Sequence, residues 1–311
     1  MVATITDVFK KKLLLEVDSD LNRGNYYIGI GKSEIWNTGD VTPSITNNEF
    51  DIRKAKLGMQ SIKAAEDRTF VVPRNNWSSG TIFSAYDDAA VGYPEYKYYV
   101  LTEDNRVYLC MEQPKNSTTG AAIASTSKPN EIYTDKPFKA ADGYVWKFMY
   151  QLTSTHASKY LSSNYMPVSL QPGGTGDAVL DQQYTIQTGA KAGQISNVVV
   201  TNGGSGYSSV NPPTVTIRGN GYGSTATATV ASGAIKYIML DSSADSCRKG
   251  GRNYTQADVF ITDSASGGVS GEARPVLAPR LGHGADPRDD LKSTALMFNT
   301  KIDGTETASF Q

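Results

Sequence analysis

Along much of this chain apolar residues recur with a period of two, the spacing of a strand whose successive side chains face opposite ways. The strongest run covers residues 142–152. There Tyr144, Trp146, Phe148, Tyr150 and Leu152 fall on one face, and Val145, Lys147, Met149 and Gln151 on the other. Asp142-Gly143 leads in, a pair suited to a tight turn with positive φ. The run predicts a central core strand, since buried aromatics dominate cores; a sugar- or base-stacking platform is the rival reading. Upstream, Tyr26, Ile28 and Ile30 alternate up to Gly31, and residues 70–72 form a short strand stopped by Pro73. Residues 96–101 and 106–111 flank Glu103-Asp104-Asn105 as a hairpin. Two stretches carry helical spacing instead. One has Asp7 as its cap and uses Val8, Phe9, Leu13, Leu14 and Val17. The other opens at a Thr46-x-x-Glu49 capping box and aligns Ile52, Ala55, Met59 and Ile62, with a solvated basic side of Arg53, Lys54, Lys56 and Lys63.

Polar stretches separate these elements. Residues 32–36 read as a loop with Trp36 as a buried anchor, residues 114–137 as a long surface loop, and residues 171–176 as a linker. Beyond the linker the texture changes. Three short β runs, residues 195–200, 213–218 and 225–230, are separated by Gly203-Gly204-Ser205-Gly206-Tyr207 and by Gly219-Asn220-Gly221-Tyr222-Gly223. The order then recurs: residues 235–240 match the first run, Gly250-Gly251-Arg252-Asn253-Tyr254 the turn, 258–262 the second run and 271–277 the third. Residues 281–290 are loop again, and an apolar patch covers residues 295–298. The expected fold is mainly β with a few short helices: a β-sandwich core with helix-bearing loops and an inserted Gly-rich β-repeat subdomain. In domains, residues 1–188, completed by 278–311, form the core, and residues 189–277 form the duplicated subdomain.

Composition narrows function. Lys plus Arg number 30 against 31 Asp plus Glu, so no net field draws nucleic acid or an acidic membrane. No apolar run reaches the length of a membrane span. The N-terminus has no apolar signal core, because Lys10, Lys11 and Lys12 interrupt it, so synthesis in the cytoplasm is expected. Cys110 and Cys247 make no disulfide framework and read as buried thiols. His156 and His283 are the two imidazoles; His283 reads as a loop histidine in a glycine-permitted turn, or as a base beside Asp286. Neither has metal-ligand spacing. Gly204-Ser205-Gly206 fails as a nucleophile elbow because Tyr207 stands where Gly is required, and Gly219, Gly221 and Gly223 precede a β run rather than a helix. No catalytic, cofactor-binding or metal-binding residue is therefore assigned, and an enzyme is not expected.

Three ordered motifs carry a resemblance. They are Ile28-Gly29-Ile30-Gly31-Lys32-Ser33-Glu34-Ile35-Trp36, Val72-Pro73-Arg74-Asn75-Asn76-Trp77 and Asp142-Gly143-Tyr144-Val145-Trp146. In this order and spacing, over residues 1–170, the chain resembles the gene-product-eight family of baseplate wedge subunits in T4-like contractile-tailed phages. The resemblance implies a non-enzymatic, dimeric β-sandwich protein of the virion, made in the host cytoplasm. Its expected partners are a second copy of itself and neighbouring wedge proteins, with no cofactor, nucleic acid, membrane span or small-molecule substrate. The Gly-rich repeats depart from that pattern and look like β repeats of phage tail and adhesin proteins. They motivate a glycan-binding rival through Tyr207, Tyr222 and Tyr254, and scattered carboxylates motivate a weaker hydrolase rival. The chain stops at Phe310-Gln311 without a closing element, which leaves room for a longer native C-terminus.

Overall fold

The computed structural model describes residues 6–24, 26–31, 48–64, 67–90, 97–242, 249–263 and 267–300. These are mainly β, in antiparallel sheets with a few helices. The chain divides into two compact units, Met1–Val71 with Thr294–Gln311, and Val72–Ser293.

In the first unit, helix α1 (Asp7–Arg23) is capped by Thr6, whose side chain accepts from the Phe9 amide at 3.3 Å. Asp7 is thus the first helical residue and not the cap; the Thr6 hydroxyl reaches the third amide of the helix, as an N-cap side chain must. Strand β1 (Tyr27–Gly31), helix α2 (Glu49–Leu57) and strand β2 (Met59–Ala64) follow. The helical pattern expected through Met59 and Ile62 breaks at Gly58. Both residues lie in β2, which pairs antiparallel with β1, Gly29 opposite Ile62. A partner strand outweighs local apolar spacing here. Thr46 and the residue 32–36 loop lie outside the described residues; Asn48 accepts from the Phe50 amide at the start of α2. Strand β3 (Asp67–Pro73) pairs with Ala295–Asn299, Phe70 opposite Leu296, so the C-terminal apolar patch is a strand. Arg68 ties β3 to α1 through Asp18 at 2.8 Å.

The second unit starts with a four-stranded sheet of β4 (Tyr99–Leu101), β5 (Arg106–Glu112), β6 (Phe138–Lys139) and β7 (Val145–Gln151), in the order β4-β5-β7-β6. The predicted hairpin joins β4 to β5, with Asn105 at φ 58° in its turn. The aromatic run is β7, entered through Gly143 at φ 92°. Its Trp146 and Phe148, with Tyr144, pack with Phe83, Val100, Tyr108, Phe138 and Ile186. The opposite face is buried as well, Lys147 included. Asp142 anchors the long polar loop by accepting from Ser125 Oγ and from the amides of Thr126 and Ser127. Helix α3 (Ser154–Tyr160) and strand β8 (Tyr165–Val168) follow. The residue 171–176 linker then runs into helix α4 (Ala178–Thr188), which sequence periodicity did not predict; Asp177 caps it.

The remaining strands are β9 (Ile195–Ser205), β10 (Thr214–Gly219), β11 (Tyr222–Ser224), β12 (Ala226–Ala231), β13 (Ala234–Leu240), β14 (Gly250–Arg252), β15 (Ala257–Thr262) and β16 (Val269–Leu277). Six form one sheet, β15-β10-β12-β13-β9-β16, and β15 comes back beside β16 so that the sheet nearly closes. Inside sit Ile195, Val198, Val230, Ile235, Ile238 and Leu240. The pairings recur when the two halves are exchanged. Val198 pairs with Ile238, its counterpart in the repeat. β9 with β16 repeats as β13 with β12. The pairs Val269–Ser205 and Gly271–Gly203 repeat as Tyr222–Arg252 and Ser224–Gly250. Tyr207 and Tyr254 are buried equivalents, each lying against glycines: a Cβ on Gly268 would meet the Tyr207 ring and one on Gly221 the Tyr254 ring. The short helix α5 (Pro287–Asp290) closes this unit.

Candidate functional site

In the second unit, Ser196, His283 and Asp290 form a hydrogen-bonded line. Ser196 Oγ is 2.6 Å from His283 Nε2, and His283 Nδ1 is 2.6 Å from Asp290 Oδ1. All three are buried. With the Asp290 carboxylate accepting from Nδ1–H, Nε2 is left as the acceptor for the Ser196 hydroxyl proton. The other oxygen, Oδ2, accepts from the Gly284 amide at 2.7 Å, so the carboxylate holds both the imidazole and the turn that carries it.

Local backbone features bring the three together. On β9, Val276 faces Asn197 and Leu277 faces Ile195, which leaves Ser196 as the extra residue of a β-bulge. A bulge re-aims the side chain it carries. His283 stands between Gly282 at φ 94° and Gly284 at φ 96°, where only glycine is unstrained. At Gly284 a Cβ would sit 2.7 Å from Ile186 and 3.3 Å from Lys147 Cε, so the turn lies close against α4 and β7. The ring of Tyr86 packs edge-on to the imidazole at 4.7 Å.

Ser196 and His283 line a cavity of about 110 Å³ whose wall also includes Lys147, Lys136, Lys191 and Asp135. Lys147 is 8 % exposed and makes no side-chain hydrogen bond among the described residues. Burial lowers its pKa, offset in part by Asp290 and Asp135 and reinforced by Lys191. A lysine whose folded pKa lies below its unfolded value leaves the unfolded chain binding more protons between the two, so stability rises with pH across that window. Relative to Lys147→Met, the wild type is therefore expected to gain stability as pH climbs from the lowered value toward the usual lysine range. Melting of both proteins from pH 7 to 10 checks this; parallel curves would contradict it.

The other sequence candidates lie apart. His156 sits on α3, away from any carboxylate ligand set, and burial, then Lys159, lowers its pKa. Asp286 is not the partner of His283; it caps α5 and pairs with Arg288 at 3.0 Å, because the cap position turns its carboxylate toward the helix amides. Cys110 is buried in β5, where burial pushes its thiol pKa well up; Cys247 lies outside the described residues. No cluster of three His, Cys, Asp or Glu side chains fit for a metal occurs among the described residues. Tyr222 is exposed while Tyr207 and Tyr254 are buried, so these tyrosines make no shared exposed face and the glycan reading loses its motivation. Sequence reasoning missed Ser196 and Asp290 altogether. The two glycines around His283 were the one available signal, and they indicated a turn, not its partners.

The first unit carries a different feature. Phe9, Leu13 and Val17 of α1, at 57, 57 and 43 % exposure, form a stripe at i, i+4, i+8. Tyr27, Phe50, Leu57 and Ile62 are exposed in the same unit. No described helix is long and apolar enough to cross a membrane. No protein-family model matches this chain, and no curated protein matches it.

Proposed function

We propose that this protein is an assembly component of a contractile-tail baseplate wedge, self-associating as a dimer and joining neighbouring wedge proteins. The observation that carries the reading is the apolar α1 stripe, together with the three ordered motifs. Stripes of large apolar side chains left in water are a marker of protein–protein contact. Charge favours a second copy as the occupant of α1. Exposed Lys10 and Lys12 flank the N-terminal half of the stripe, and exposed Glu16 and Asp20 the other half. An antiparallel pair centred on Leu13 sets Phe9 beside Val17 of the second copy and Lys10 beside its Glu16. Such a pairing brings opposite charges together, and the parallel alternative does not. The exposed side chains of α2 and of the paired strands β1 and β2 are then assigned to the wedge neighbours. The near-neutral net charge agrees with permanent contacts that rest on apolar area rather than long-range steering. Quantitative mass spectrometry of purified tailed particles is expected to find the protein at a multiple of six copies, following the tail symmetry that the resemblance implies. Its absence from such particles would overturn the proposal.

A further inference from the structure

We infer that Ser196 is a nucleophile able to take an acyl group from esters of small carboxylic acids, a chemistry separate from assembly. Four observations converge. Ser196 Oγ lies 2.6 Å from an imidazole nitrogen, and a buried carboxylate 2.6 Å from the other nitrogen fixes the tautomer that leaves Nε2 basic. The serine is set on a bulge that re-aims it. The cavity it lines, about 110 Å³, has room for a small acyl group. The same wall holds Lys147, 8 % exposed and without a side-chain hydrogen-bond partner among the described residues, whose N–H groups can donate whether or not the amine is protonated. A merely structural network would account for the line of hydrogen bonds. It would not call for a cavity at the serine with a lysine in its wall.

The step balances within these groups. As Oγ bonds to the acyl carbon, its proton moves to His283 Nε2. The carbonyl oxygen gains negative charge in a cavity containing Lys147. The ester C–O bond then breaks, and His283 returns the proton to the departing oxygen, which leaves as an alcohol. Water repeats the sequence, with His283 taking its proton. The acid is released and Ser196 restored.

A small alkyl fluorophosphonate tests the nucleophile directly, because it bonds phosphorus to an activated serine oxygen and releases fluoride. Full-length wild type is expected to gain one adduct, mapped to Ser196 by peptide mass spectrometry. Ser196→Ala is expected to gain none, and His283→Gln to react at least about 100-fold more slowly, the scale of a lost general base. The wild type should also release nitrophenol from p-nitrophenyl acetate, and Ser196→Ala should not. A folded wild type that stays unlabelled, an adduct equally present in Ser196→Ala, or labelling of His283→Gln at the wild-type rate would overturn the inference. Should His283→Gln fail to fold, the wild type and Ser196→Ala decide alone.

Discussion

Trp146→Ala is expected to lower unfolding free energy by about 3–5 kcal/mol, the range for removing a large buried aromatic. Trp146 is fully buried at the centre of β7, stacks on Tyr144 with ring centroids 5.5 Å apart and meets Phe83 edge-on at 5.7 Å. Its removal leaves a void flanked by strands on both sides, since β5 and β6 both pair with β7. Close-packed interiors relax only in part around such a void. The indole nitrogen finds no acceptor among the described residues, so Trp146→Phe gives up no hydrogen bond and should cost clearly less. Denaturant unfolding of the two variants measures both effects. An alanine variant that unfolds with the wild type would contradict the place given to β7.

The second large effect tests the equivalence of the two halves. Gly204 and Gly251 occupy equivalent turns at φ 61° and 67°, and a Cβ on either would lie 2.4 Å from a backbone oxygen, that of Val269 or of Tyr222. Left-handed φ alone costs alanine about 1–2 kcal/mol, and the contact forces a paired strand to move as well. Gly204→Ala and Gly251→Ala should each destabilise by more than about 2 kcal/mol, and by similar amounts. Gly206→Asn should be nearly neutral, because Asn253 holds the equivalent position at φ 64°. One alanine tolerated and the other not would mean that the two turns are not equivalent.

How much of this was legible in the chain depended on whether the signal was local. The β7 run, the hairpin around Asn105 and the recurring Gly-Tyr turns each state themselves within a dozen residues, through alternation or glycine placement. β2 was misread because Met59 and Ile62 fit a helix equally well until β1 supplies a partner. α4 was missed because its apolar residues, Val179, Leu180 and Ile186, are too few for a periodic stripe. Lys147 was placed on the right face of its strand, but only the fold shows that this face is covered. The Ser196–His283–Asp290 line was out of reach. It depends on a bulge, two positive-φ glycines and a pairing between residues 87 apart in sequence, and none of its members stands in a recognisable motif.

Sedimentation velocity at micromolar concentration tests the central claim, assembly through the first unit, most directly. Wild type is expected to sediment as a dimer, and Leu13→Glu, which sets charge in the middle of the exposed α1 stripe, as a monomer with unchanged melting. A wild type that is strictly monomeric, or a Leu13→Glu protein that dimerises as well as wild type, would contradict the account.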